Sequence, residues 1–224
     1  MFNQQTVIRR QAESSIAVNQ VLRNTYWLLG LSIIVSACTA WLTMAFNLAG
    51  PVILTYIVGI IGLSYLTRAL AHTAWGIAAV FLFTAFLGYA LGPLLNAIIG
   101  NFINGTQIVA TAFSATGLIF FSLSAYALTT QKDFSYMGGF LFAGVMSAFL
   151  LGLAGIIFQL PLLNLVISFV FTLLSSGLIL FHTSSIIHGG ERNYILATIS
   201  IFVALFNLFV NLLHIFATFA GSRD

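Results

Sequence analysis

Seven stretches of the chain, at about residues 24–46, 51–67, 74–99, 107–129, 135–158, 161–187 and 193–219, contain no Asp, Glu, Lys or Arg. A hydrocarbon core about 30 Å thick is crossed by roughly 20 helical residues, and six of the seven runs exceed that. Lipid offers the backbone no hydrogen-bond partners, so a run of this kind is stable there only when its own carbonyls and amides pair as a helix. The chain therefore reads as an all-α, polytopic membrane protein, a bundle of seven transmembrane helices. The second run, between Pro51 and Arg68, is the shortest. Short breaks separate the runs: "NLAGP", "RALAHT", "GNFING", "TQKDFS", "QLP" and "HGGER". With no linker, second domain or internal repeat, three parts are expected: a polar tail over 1–23, the seven-helix domain over 24–219 and a short tail over 220–224.

Composition agrees. Hydrophobic residues make up 60% of the 224 and charged residues only 5%, where a soluble domain carries about 25% charged residues. A single cysteine, Cys38, excludes an internal disulfide and a cysteine metal cluster. The tetrapeptide "VSAC" around it resembles a lipoprotein cleavage box but lies deep in the first run. The polar tail is too long, and the run behind it too long, for a cleaved signal peptide, so retention is expected. Poor in large apolar groups, the tail is not expected to fold by itself. Fully extended, its 23 residues would reach roughly 75–80 Å.

Charge sets the expected orientation. Seven spans place Arg9, Arg10, Arg23, Arg68, Lys132 and Arg192 on the N-terminal side and only Arg223 on the other. Lys and Arg accumulate on the cytoplasmic side, so the N-terminus reads as inside and the C-terminus as outside.

Polar residues inside the runs fall in helical register. The first run aligns Thr25, Ser32, Ser36, Thr39 and Thr43; the sixth, Asn164, Ser168, Thr172, Ser175 and His182; the seventh, Ser200, Asn207, Asn211, His214 and Thr218. Steps of three, four and seven keep side chains on one face, which in lipid is expected to look inward. Gly88 and Gly92 in "GYALG" offer a close-packing surface of the same kind.

Three stretches resemble the Bax inhibitor (transmembrane Bax inhibitor motif) family: "TGLIFFSLSAYALTTQKDFSYMGGFL", "VLRNTYWLLGLSI" and "YILATISIFVALFNLFVNLLHIF". Within it, "SSIIHGGERNYI" is most similar to the bacterial YccA-like branch. The resemblance implies a central helix enclosed by the others, residence in the bacterial inner membrane, and association with the ATP-dependent membrane protease FtsH, which such members restrain. A second theme of the family is a pH-sensitive calcium leak governed by two aspartates. On this sequence their motif positions hold His182 and Ala204. Because Glu13, Asp133, Glu191 and Asp224 all fall in tails or loops, the oxygen-rich site that calcium wants is not offered within the spans.

An ionisable group inside a membrane is a functional candidate by default. For His182 the choice lies between a proton sensor and a neutral ring bonded to a serine or asparagine. With no acid beside it, the second is preferred. His214 is expected near the outer interface, and Asn207 and Asn211 as interhelical hydrogen-bonding residues. Arg68 reads as a snorkelling, orienting charge at a helix end. Lys132 and Asp133 mark a loop and a helix start. "HGGER" is a tight turn, and its His188 and Glu191 are too few ligands for a metal site. Ser184 and His188 stand four apart but have no orienting acid. No HExxH, GxSxG or Walker loop is present. The sequence thus points to a non-enzymatic membrane protein without cofactor or metal. By resemblance it is a modulator of FtsH, with a calcium or proton leak as the alternative. The candidate polar core or ion pathway is His182, Asn207, Asn211, His214 and Arg68.

Overall fold

The computed structural model describes residues 2–221, with side-chain surroundings from Ile16 onward except at position 156. Seven helices follow one another: α1 (Phe2–Ala45), α2 (Ile53–Leu70), α3 (Gly76–Asn101), α4 (Gly105–Thr130), α5 (Gly138–Ile157), α6 (Pro161–Ile187) and α7 (Tyr194–Ala220). A short 3-10 turn, Ser135–Met137, leads into α5. Each helix contains a stretch long and apolar enough to cross a membrane. The protein is an all-α, multi-pass membrane protein.

The spans agree with the charge-free runs to within a few residues, and α6 agrees at both ends. The first helix differs. It is already running at Phe2, ahead of the expected start at 24. No Gly or Pro precedes Gly30, so nothing interrupts propagation once the helix has formed. Polarity there marks where the helix leaves the apolar layer, not where it ends. As a helix, the residues from Phe2 to Arg23 rise only about 33 Å, well short of their extended length.

Helix ends satisfy their backbone locally. After α1, Asn47 takes a left-handed φ of 48°, and the amides of Asn47 and Leu48 return to the carbonyls of Met44 and Thr43. Gln159 repeats the device after α5, with Leu160 N–H donating to Gly155 O. Pro161 then opens α6, where the N–H it lacks would have had no helical partner. At the end of α6, Gly189 supplies a φ of 72° and Gly190 N–H reaches Ser185 O. This is the tight reversal expected of "HGGER".

Helix α7 is the post around which the bundle is built. It touches α1, α2, α3, α4 and α6, and Ile201, Leu208 and Leu213 on it are fully buried. The chain thus has a central helix of the kind the family resemblance implies, α7, with the face of Asn207, His214 and Thr218 left exposed. Helix α5 stands outside, packing on α6. The most extensive pairing joins α1 to α3, and it depends on the two glycines singled out in the sequence. A Cβ on Gly88 would collide with Thr39 Oγ1 and the carbonyl of Ser36. One on Gly92 would lie 2.6 Å from Thr43 Cβ and 2.9 Å from Ala40 O. The α1 polar stripe lies in this seam, with Ser32, Ser36 and Thr43 buried. Thr43 satisfies itself on Thr39 O at 2.8 Å.

Gly88→Leu should therefore lower the unfolding midpoint in detergent strongly, since backbone cannot yield as a side-chain tip does. The expected loss is at least the ~1–3 kcal/mol usual for overpacking. Gly117→Ala, where a Cβ meets nothing within 4 Å, should leave the midpoint unchanged. Equal effects of the two would remove the glycine seam from the account.

Candidate functional site

The sequence candidates do not gather into one polar core. His214 and Ser168 do meet across α6 and α7, with Nδ1 2.8 Å from Oγ. Asn211 instead gives its amide to Asn207 O of its own helix at 2.7 Å, and Thr218 returns to His214 O. Asn207, His214 and Thr218 are exposed, which corrects the expectation that the α7 stripe faces inward and that Asn207 and Asn211 bond between helices. The register is right, but that face is left uncovered: α2 leans on α3, and neither α2 with α6 nor α5 with α7 makes contact among the described residues. The α6 stripe does point inward, with Ser168 and Ser175 buried.

His182 is half-buried, its ring edge-on to Phe181 at 5.2 Å between centroids. Among the described residues no hydrogen bond reaches it, so the expected serine or asparagine partner is not there. Ala204 is buried at 1% exposure. Arg68 is exposed at the end of α2, a helix that does not touch α6, so it does not join His182 in a site.

A denser polar arrangement lies at the end of the bundle where the α2–α3, α4–α5 and α6–α7 turns meet. Ser184, buried on α6, accepts the N–H of Phe134 at 3.0 Å and donates to Lys132 O at 3.1 Å. One turn on, His188 places Nδ1 2.9 Å from Ser184 O and Nε2 3.1 Å from Gln131 O. Gln131 itself sits at φ 51° and ends α4. These two side chains fasten the α4–α5 turn to the end of α6. Asn193 does the same for the next turn. Its Oδ1 caps α7 by accepting from Ile195 N–H at 2.9 Å and Leu196 N–H at 3.4 Å, while Nδ2 donates to Ala71 O at 2.8 Å.

Between these turns and α1 lies a crevice of about 810 Å³, lined by Ala17, Val18, Asn19, Val21 and Leu22 of α1, by Leu128 and Gln131, and by Ile187, His188, Gly189, Glu191 and Arg192. Its lining mixes apolar side chains with Asn19, Gln131, His188, Glu191 and Arg192. At the start of the 3-10 turn, Asp133 Oδ1 accepts Ser135 N–H at 2.8 Å, the helix-start role expected of it. The backbone N–H and then the hydroxyl of Ser135 hold this carboxyl below its ordinary range, with a smaller pull from His188. That contribution to stability is present above the ordinary aspartate range and is lost as pH falls through the lowered value. The arrangement is suited to holding turns in place and presenting a partly apolar recess.

Sequence reading noticed the four-residue spacing of Ser184 and His188 but not their role, because the carbonyls they hold carry no side-chain signal. Asn193, immediately ahead of an apolar run, is a readable cap signal. Asn193→Ala should cost about 1–3 kcal/mol from the lost cap and the orphaned Ala71 carbonyl. Asn193→Asp keeps the cap and loses only the Ala71 bond, so it should fall between Ala and wild type in a denaturation midpoint.

Comparison with known proteins fits this architecture. The family profile described as "Inhibitor of apoptosis-promoting Bax1" matches residues 18–221. The chain belongs to the Bax inhibitor family. The protein of Escherichia coli named Modulator of FtsH protease YccA is 48% identical over 211 residues, covering 94% of each chain. An uncharacterised protein of Pseudomonas aeruginosa is 44% identical over the full length of both chains. Another, from Pasteurella multocida, is 45% identical over 89% of this chain and 90% of its own.

Proposed function

We propose that this chain is a non-enzymatic protein of the bacterial inner membrane that restrains the FtsH protease by direct contact. The observation that carries this reading is the 48% identity, over 94% of both chains, to the modulator of FtsH from Escherichia coli. Six of the seven Lys and Arg fall on the end that bears the N-terminus and the crevice. By the positive-inside rule that end faces the cytoplasm. The same end presents an α1 extension ahead of the span and a recess of about 810 Å³. A cytoplasmic protease ring would meet these two features first. The extension is a handle the enzyme can engage, while seven packed helices resist being drawn out, so engagement occupies the enzyme. The alternative, a calcium leak, finds His182 and Ala204 where the family's two carboxylates stand, and a divalent cation needs charged oxygen ligands.

Three experiments test the reading. Reporter fusions at Gly105 and Gly221 should read as external, and one at Gly189 as cytoplasmic; a cytoplasmic Gly221 would reverse the geometry. FtsH should co-purify with the full chain from gently solubilised membranes. Deleting residues 2–12 should slow degradation of this protein and release the protease onto a second substrate. Degradation at the full-length rate would show that the extension is not the handle.

A further inference from the structure

We infer that the crevice continues one helical turn into the bundle as a water-binding throat, lined by Thr25, Tyr26, Ser124 and Thr183 and closed beyond them by an apolar layer. The placement comes from helical register. Val21 and Leu22 of α1, Leu128 of α4 and Ile187 of α6 all line the crevice. Four residues further in along each helix, on the same face, stand Thr25 and Tyr26, Ser124 and Thr183. Three walls that converge on one recess therefore each carry a hydroxyl at the next level. Thr25 and Thr183 are 0% exposed and Ser124 4%, and the hydroxyl of Tyr26 is buried as well. No backbone-to-backbone packing joins α1 to α4 among the described residues. Tyr26 spans the gap with its ring, whose centroid lies 5.9 Å from that of Phe120 on α4.

None of these four hydroxyls has a hydrogen-bond partner among the described residues. That is not the habit of hydroxyls on these helices. Thr43 of α1, Thr116 of α4 and Thr172 of α6 each donate to the carbonyl four residues back, at 2.8, 2.7 and 2.8 Å. A buried polar group without a partner is costly, and proteins meet that cost with ordered water, each molecule making about three hydrogen bonds. Four hydroxyls that both donate and accept can hold on the order of two such waters. They bring no charge, so they suit water and not a hard cation, which is held by charged or more numerous oxygens. The next turn inward is dry. Leu29, Phe120 and Ile179 are buried at 2%, 5% and 0% exposure within one apolar cluster. Phe120 and Ile179 stand four residues beyond Ser124 and Thr183. Water therefore enters from the crevice and stops at this layer. Ser32, the fifth hydroxyl without a partner among the described residues, lies two turns beyond Thr25 in the α1–α3 seam and is not part of the throat. None of this rests on the proposed protease contact.

The test is methyl–water cross-relaxation by NMR on the full chain in nanodiscs, with threonine, leucine and isoleucine methyls labelled. The methyls of Thr25 and Thr183 should give cross-peaks at the water frequency several-fold stronger than those of Thr84 and Thr116. The latter two are as deeply buried but return to Phe81 O and Ala112 O, so they control for burial and for the hydroxyl itself. The methyls of Leu29 and Ile179 should stay at the control level. Signals from Thr25 and Thr183 no stronger than the controls would overturn the throat. Signals from Leu29 and Ile179 as strong as theirs would overturn its closed end. Ser124→Val, which removes one hydroxyl and fills part of the space, should weaken the Thr183 cross-peak several-fold and leave Thr84 unchanged. An unaltered Thr183 signal in that variant would overturn the shared site. Should the variant fail to fold, the wild-type comparison of the four threonines decides alone.

Discussion

A backbone in hydrocarbon must find every hydrogen bond within the protein, and everything else in this structure follows from that requirement. It makes each apolar run a helix and confines irregular backbone to the two ends. It also explains how the interior accommodates hydroxyls. Thr39, Thr43, Thr67, Thr116, Ser168, Thr172 and Thr198 each return to a carbonyl three or four residues back. Helices so satisfied have no apolar advantage in meeting one another, since lipid is as apolar as their side chains. Close fit then decides which helices pair. Gly88 and Gly92 bring α3 onto α1, and both pack on α7.

The consequence for function is a division between a middle whose hydroxyls mostly return to their own helix, with Thr25, Ser32, Ser124 and Thr183 left without a partner among the described residues, and two tied ends. On the far side Asn96 donates to Met44 O at 3.2 Å and Tyr89 to Ala49 O at 2.6 Å, fixing the α1–α2 turn to α3. On the near side Ser184, His188 and Asn193 bind two turns to helix ends, and here the polar groups converge. Polar side chains thus hold turns around a recess at this end of the bundle, the end that the proposed protease contact would use. That agrees with a relative named for modulating a protease.

Much of this was legible in the residues, and the exceptions have physical causes. The bounds of α6 were readable because Pro161 and Gly189 punctuate them. Other ends were less distinct because Asn47, Gln131 and Gln159, not glycine, adopt the left-handed cap. The start of α1 was missed because polarity was taken for a helix end. The glycine seam was visible from spacing alone. The outward turn of Asn207 and His214 was not, because a helical stripe reveals which residues share a face but not whether a neighbouring helix covers it. Nor was the fastening of the α4–α5 turn by Ser184 and His188, whose partners on that turn are backbone carbonyls more than 50 residues away in the chain.

The central claim is that this protein acts on a protease by contact and not by passing ions. Vesicles co-reconstituted with purified FtsH, a reporter substrate and increasing amounts of this protein, loaded with a calcium indicator, measure both activities together. The account predicts that substrate turnover falls several-fold as the protein approaches equimolar amounts, with no calcium entering at acidic or neutral pH. Unchanged turnover accompanied by a pH-dependent calcium flux would contradict it.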